Sequence, residues 1–83
     1  MRLLYFAWLR EKIGVSEEDF APPPGIATPR QLIATLRQRS PGHAAAFADE
    51  SLIRCAIDQE FCSLDASLGA AAEIGFFPPV TGG

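Results

Sequence analysis

The order of elements in this sequence predicts an α+β domain: two strands, a helix, then two or three further strands. That order folds as a mixed sheet of four to five strands with one main helix packed across one face. Three observations carry the expectation. An aliphatic and aromatic run opens the chain, a capped amphipathic helix begins near residue 29, and apolar strand-like segments recur between residue 52 and residue 77.

Arg2 to Leu9 reads as the first strand, rich in Leu, Tyr, Phe and Trp. Alternation sets Leu3, Tyr5 and Ala7 on one face and Leu4, Phe6 and Trp8 on the other. A short helical turn follows at Leu9 to Ile13, closed by Gly14. Ser16 to Phe20 is the second strand, polar enough to lie at an edge. Pro22-Pro23-Pro24-Gly25 is a loop by composition. Thr28-Pro29-Arg30-Gln31 then sets Thr at the N-cap, Pro at the first helical position and Gln three residues after the cap. Leu32, Ile33 and Leu36 recur at helical spacing, so the helix is expected from about Pro29 to Arg39, ended by Ser40-Pro41-Gly42. Ala44 to Asp49 has the composition of a second short helical turn. Leu52 to Ile57 returns to strand character, Asp58-Gln59 is a candidate tight turn, and Glu60 to Leu64 is the returning strand. Asp65 to Ala72 is a loop, and Glu73 to Phe77 a last strand.

The chain has 83 residues, 48% of them hydrophobic and 20% charged, which suits one small globular domain. No apolar run approaches the roughly 20 residues of a membrane helix, and Arg10, Glu11 and Lys12 interrupt any leader-like start. A cytoplasmic location is the expectation. The net charge of −3 and pI near 4.9, with acids clustered at Glu17-Glu18-Asp19 and Asp49-Glu50, argue against nucleic acid as a ligand. An acidic surface also suits basic protein partners. Cys55, Cys62 and the single His43 do not make a zinc pattern, so no metal is expected. Both cysteines are expected as small apolar residues in or beside strands, with a single possible pair being weak grounds for a disulfide.

A single sheet with one helix covers only one face. Leu3, Tyr5, Ile53, Cys55, Ile57, Cys62, Leu64, Ile74 and Phe76 are assigned to the face beneath Leu32, Ile33 and Leu36. Phe6, Trp8, Phe61 and Phe77 are left pointing the other way, an aromatic patch of the kind that marks a partner interface. Residues 78–83 form a tail beyond a domain of residues 1–77. Pro78-Pro79 cannot continue a central ladder, so the chain must leave the sheet there. Gly82-Gly83 lacks side chains, so a narrow channel would admit the backbone and its carboxylate. At ~3.3 Å per residue, six residues reach up to about 20 Å.

At these residues the chain resembles the small subunit of molybdopterin synthase, the MoaD sulfur-carrier family. Phe76-Phe77-Pro78-Pro79-Val80-Thr81-Gly82-Gly83 matches that family's tail throughout. Leu4-Tyr5-Phe6-Ala7-Trp8-Leu9-Arg10-Glu11 is similar to its first strand, and Ala56-Ile57-Asp58-Gln59 to its Ala-Val-Asn-Gln hairpin. The chain departs from the family in two places: Ala70-Ala71-Ala72 stands where the family commonly has an Asp-Gly-Asp turn, and Trp8 where it often carries a polar residue.

The resemblance implies a ubiquitin-like β-grasp and a mechanism in which Gly83, after Gly82, is the reacting end. An E1-like, ATP-dependent enzyme would join AMP transiently to the Gly83 carboxylate. A sulfur donor protein would convert it to a thiocarboxylate, and no cofactor would stay bound. The large synthase subunit, in an assembly of two small and two large subunits, would receive the tail and pass sulfur to a cyclic pyranopterin precursor. Phe6, Phe61 and Phe77 would be the docking patch, Arg10 a polar contact beside it, and Pro78, Pro79, Val80 and Thr81 the segment held by the partner. The chain would then be a sulfur-donating subunit, with acids and bases supplied by its partner. Three alternatives share parts of this pattern: a sulfur carrier for thiazole or tRNA thiolation, a ubiquitin-like modifier joined through Gly83, and a module acting only through its aromatic face.

Overall fold

The computed structural model describes residues 1–79. Its strands are β1 (Arg2–Tyr5), β2 (Glu17–Asp19), β3 (Arg54–Ile57), β4 (Glu60–Cys62) and β5 (Glu73–Phe77). They form one sheet in the order β2-β1-β5-β3-β4. β1 runs parallel to β5, and the other neighbours are antiparallel. The helices are α1 (Trp8–Ile13), α2 (Pro29–Leu36) and α3 (Pro41–Ala46), with a 3₁₀ turn at Glu50–Leu52. This is the mixed sheet with a covering helix that the element order predicts.

The first strand is shorter than expected. Ala7 adopts φ 54 and ψ −134, a backbone region that turns the chain out of the sheet and starts α1. Trp8 therefore does not join the open face, as strand alternation required. It opens α1 half-buried against the core, with Lys12 Nζ 5.6 Å from its ring centroid. The next residue, Leu9, is fully buried.

α2 starts as its sequence dictates. Thr28 Oγ1 accepts from the Gln31 amide at 3.2 Å, and Gln31 Oε1 accepts from the Ala27 amide at 2.7 Å. Pro29, Leu32, Ile33 and Leu36 form its buried stripe. The regular helix stops at Leu36 rather than Arg39. Its last turn tightens through bonds from Gln38 to Thr35 and Arg39 to Leu36, both spaced by three residues. Ser40-Pro41 both closes that turn and opens α3. Ser40 is extended, as a residue before proline favours, and its Oγ accepts from the His43 amide at 3.1 Å. The short helix expected at 44–49 accordingly lies three residues earlier. It packs so closely on α1 that a Cβ on Gly42 would lie 2.5 Å from the Lys12 carbonyl oxygen.

At the far hairpin, Asp58 and Gln59 have φ 48 and 71, the paired positive values of a type I′ turn. The strands around it are trimmed: Leu52 falls in the 3₁₀ turn, and β4 ends at Cys62. Asp58 Oδ1 also accepts from the Ala72 and Glu73 amides, each at 3.0 Å. Those bonds anchor the start of β5 beside Ala70-Ala71-Ala72, where an acidic turn was the pattern.

The core is the face assigned from alternation, with additions. Leu3, Tyr5, Ile53, Cys55, Ile74 and Phe76 are buried beneath α2, while Ile57, Cys62 and Leu64 are only partly covered, toward the β4 edge. Leu9, Ala46, Phe47 and Leu68 complete it from helices and loops. The Phe47 ring meets Phe76 edge-on at 5.1 Å. Beside it lies a polar cluster: Tyr5 donates to Glu18 Oε2 at 2.6 Å, and His43 Nε2 lies 2.7 Å from the same oxygen. Arg39 pairs with Glu18 Oε1 at 3.1 Å. Among the described residues no helix is long and apolar enough to cross a membrane.

Candidate partner-docking face

The sheet's other face is uncovered, and its register explains the patch found there. Leu4 pairs with Gly75, Gly75 with Ala56, and Ala56 with Phe61, so one row crosses four strands on the open side. Only Leu4 and Phe61 in that row are large. The small centre leaves a trough, and Phe6 lies over it. A Cβ on Gly75 would be 3.2 Å from Phe6 Cε2 and 3.9 Å from Leu4 Cβ. Phe6 is held there by its amide, which donates to the Phe76 carbonyl at 3.1 Å before the chain turns at Ala7.

On the β4 side, Phe61 and Phe77 meet with ring centroids 5.5 Å apart and planes tilted by 60°. Phe61 is 84% exposed and Phe6 47%. Together with Leu4, Ala56 and Gly75 they line an apolar groove of about 510 Å³, with Gln59 and Glu73 as its polar members. An 84%-exposed phenylalanine at the rim of an apolar groove is a feature of the kind that marks a binding surface. Among the described residues its lining holds one carboxylate, that of Glu73.

The structure thus brings Phe6, Phe61 and Phe77 together and leaves Trp8 out. Arg10 is exposed on α1 and outside the groove lining. Pro78 and Pro79 follow directly from β5, the central strand, and are half-buried. Val80, Thr81, Gly82 and Gly83 lie outside the described residues. Gly75 was not singled out from the sequence, although a glycine inside an apolar strand is itself a sign of close approach. His43, the one histidine, is 6% exposed and sits on the covered side with Glu18 and Ser40. Among the described residues no group of three His, Cys, Asp or Glu could hold a metal ion.

The profile of the ThiS family matches residues 3–83. The chain belongs to the ThiS family. Two curated relatives are the molybdopterin synthase sulfur carrier subunits of Escherichia coli and Haemophilus influenzae. The first is 36% identical over 84 residues, covering 100% of this chain and 99% of the relative. The second is 37% identical over 87 residues, with the same coverage. Among solved structures, a molybdopterin converting factor subunit 1 from Pyrococcus furiosus superposes with TM-score 0.73 at 32% identity, covering 95% of each chain. SAMP1 from Haloferax volcanii gives TM-score 0.70 at 25% identity, covering 100% of this chain and 98% of its own. The resemblance carried by the Phe-Phe-Pro-Pro tail is therefore borne out, and the α+β architecture is that of this ubiquitin-like, β-grasp group.

Proposed function

We propose that this chain is the sulfur carrier subunit of a molybdopterin synthase, working through the carboxylate of Gly83. The observation that carries the reading is the arrangement of β5. The central strand runs past the open Phe6–Phe61–Phe77 face and leads into Pro78-Pro79, which Gly82-Gly83 follow in the sequence. A partner gripping that face receives the tail from a fixed point. The names and full-length similarity of the curated relatives support the same reading.

The chemistry follows from what a carboxylate lacks. It is a poor electrophile, so an activating enzyme first transfers AMP from ATP to the Gly83 carboxylate, releasing pyrophosphate. A sulfur donor then displaces AMP and leaves a thiocarboxylate, a soft nucleophile ionised at neutral pH. Docked on a large synthase subunit, the tail delivers that sulfur to a cyclic pyranopterin precursor, and Gly83 returns to a carboxylate. The face contributes binding energy and orientation, while acids and bases belong to the partner. Phe6, Phe61 and Phe77 form the contact, Pro78, Pro79, Val80 and Thr81 the guided segment, and Arg10 a polar contact outside the groove.

Incubating the full chain with the activating enzyme, ATP and a sulfur donor tests this by intact mass. Replacing one oxygen by sulfur adds ~16 Da, and the tail's lack of side chains at Gly82 and Gly83 is what gives reagents access. Deleting Gly83 is expected to abolish the gain while leaving thermal unfolding unchanged. A terminus that stays an ordinary carboxylate under these conditions refutes the reading.

A further inference from the structure

Cys55 and Cys62 are directly opposed across β3 and β4, and their sulfurs lie 3.4 Å apart as free thiols. Opposed residues in an antiparallel pair have Cα atoms ~4.5–5.5 Å apart, inside the range a disulfide spans, so closure needs only ~1.4 Å of sulfur movement. Cys55 is buried, whereas Cys62 is half-buried near the sheet edge. An open groove of about 690 Å³, whose lining includes Arg30, Arg37, Asp49, Glu50, Arg54 and Cys62, gives outside access on the Cys62 side.

We propose that Cys55 and Cys62 are a reversible dithiol–disulfide site whose oxidant is a small anionic disulfide of the glutathione type, admitted through the groove beside Arg54. The accessible Cys62 thiolate attacks one sulfur of the oxidant, forming a mixed disulfide and releasing one thiolate, which takes up a proton. The Cys55 thiolate then attacks Cys62 Sγ and expels the second thiol. Two protein thiols are oxidised to one S–S bond, and one small disulfide is reduced to two thiols. Arg54 supplies positive charge where glutathione brings carboxylates.

The order of attack has a physical basis. Burial first, then the hydrogen bond and charge interaction with Cys62, together push the Cys55 thiol up to about 12. Capping Cys62 removes those two contributions, so Cys55 becomes more acidic at the step that needs its thiolate. The bond would tie β4, an edge strand of three residues, to β3 and fix the backbone that carries Phe61.

The test treats the full chain with oxidised glutathione, followed by intact mass and alkylation under native conditions. The expected product has lost two hydrogens, ~2 Da, with both thiols blocked, and dithiothreitol restores it. Hydrogen exchange at Glu60, Phe61 and Cys62 should slow in that form. Cys55→Ser is expected to stop at a glutathione adduct, ~305 Da heavier, on Cys62. Wild-type protein that keeps two alkylatable thiols, or that ends as a stable adduct, overturns the proposal without reference to the variant's stability.

Discussion

Replacing Phe61 by alanine separates docking from folding, because this side chain does almost nothing for the isolated domain. It is 84% exposed, and its aromatic contact is the tilted one with Phe77. Losing that contact should destabilise folding by at most ~1 kcal/mol, the usual worth of an aromatic pair. Docking is a different matter. An aromatic residue buries ~150–250 Å², and with 84% still available, ~120–200 Å² remains to be removed from water. At ~25 cal/mol per Å² that is ~3–5 kcal/mol, less the part alanine retains, leaving ~2–4 kcal/mol or a ~30- to ~1000-fold weaker Kd. Titration calorimetry against the large synthase subunit, paired with thermal unfolding of the free chain, measures both quantities. Leu52→Ala is the control, since Leu52 is 45% exposed yet lies in the 3₁₀ turn away from the groove. If Phe61→Ala leaves the Kd unchanged, or Leu52→Ala weakens it as much, the aromatic face is not the docking surface.

Gly42→Ala is expected to destabilise folding by ~1–3 kcal/mol in urea denaturation, because the new methyl meets the backbone of Lys12 and neither helix can yield cheaply. Glu18 governs acid stability. Burial would raise its carboxyl, but the hydrogen bonds from Tyr5 and His43, with the charges of His43 and Arg39, hold it below its ordinary 4.5. A carboxyl depressed in the folded state stabilises the protein above its ordinary pKa, and that contribution disappears as pH falls through the folded value. Urea midpoints followed from pH 7 downward should therefore fall below about 4.5, and Glu18→Gln should flatten that limb while lowering stability at neutral pH.

Much of this was legible in the sequence because local rules and the global fold agree. Thr28-Pro29-x-Gln31 fixed the start of α2, and strand alternation found Phe6, Phe61 and Phe77 before any register was available. The tail motif needed no structure at all. What escaped was set by tertiary contact. Trp8 follows strand periodicity from Leu4, but Ala7's positive φ breaks the period, and no single residue announces an alanine in that conformation. Ser40-Pro41 carries the same cap signal as Thr28-Pro29, yet reads first as the end of α2, so α3 was placed late. His43 and Phe47 became core through that shift. The Cys55–Cys62 juxtaposition depends on the Asp58-Gln59 turn having two residues, which sets Cys55 opposite Cys62.

The parallel pairing of β1 with β5 links the face to the tail. Because β1 and β5 run the same way, their C-terminal ends lie side by side, with Tyr5 opposite Phe76. Phe6 and Phe77, the next residues, therefore sit at the same end of the sheet, where the chain departs through Pro78. Antiparallel β3 begins at that end too, with Arg54 opposite Phe77. Had β5 been antiparallel to β1, the tail would leave from the opposite end to Phe6, and a partner gripping one would not be handed the other. On the proposed reading, a partner bound at the aromatic face would meet the tail as a short tether, the regime of ~millimolar effective concentration. Lengthening the tail between Phe77 and Pro78 should accordingly lower the rate of sulfur transfer while leaving the docking affinity of the face intact, as competition binding and single-turnover kinetics would show.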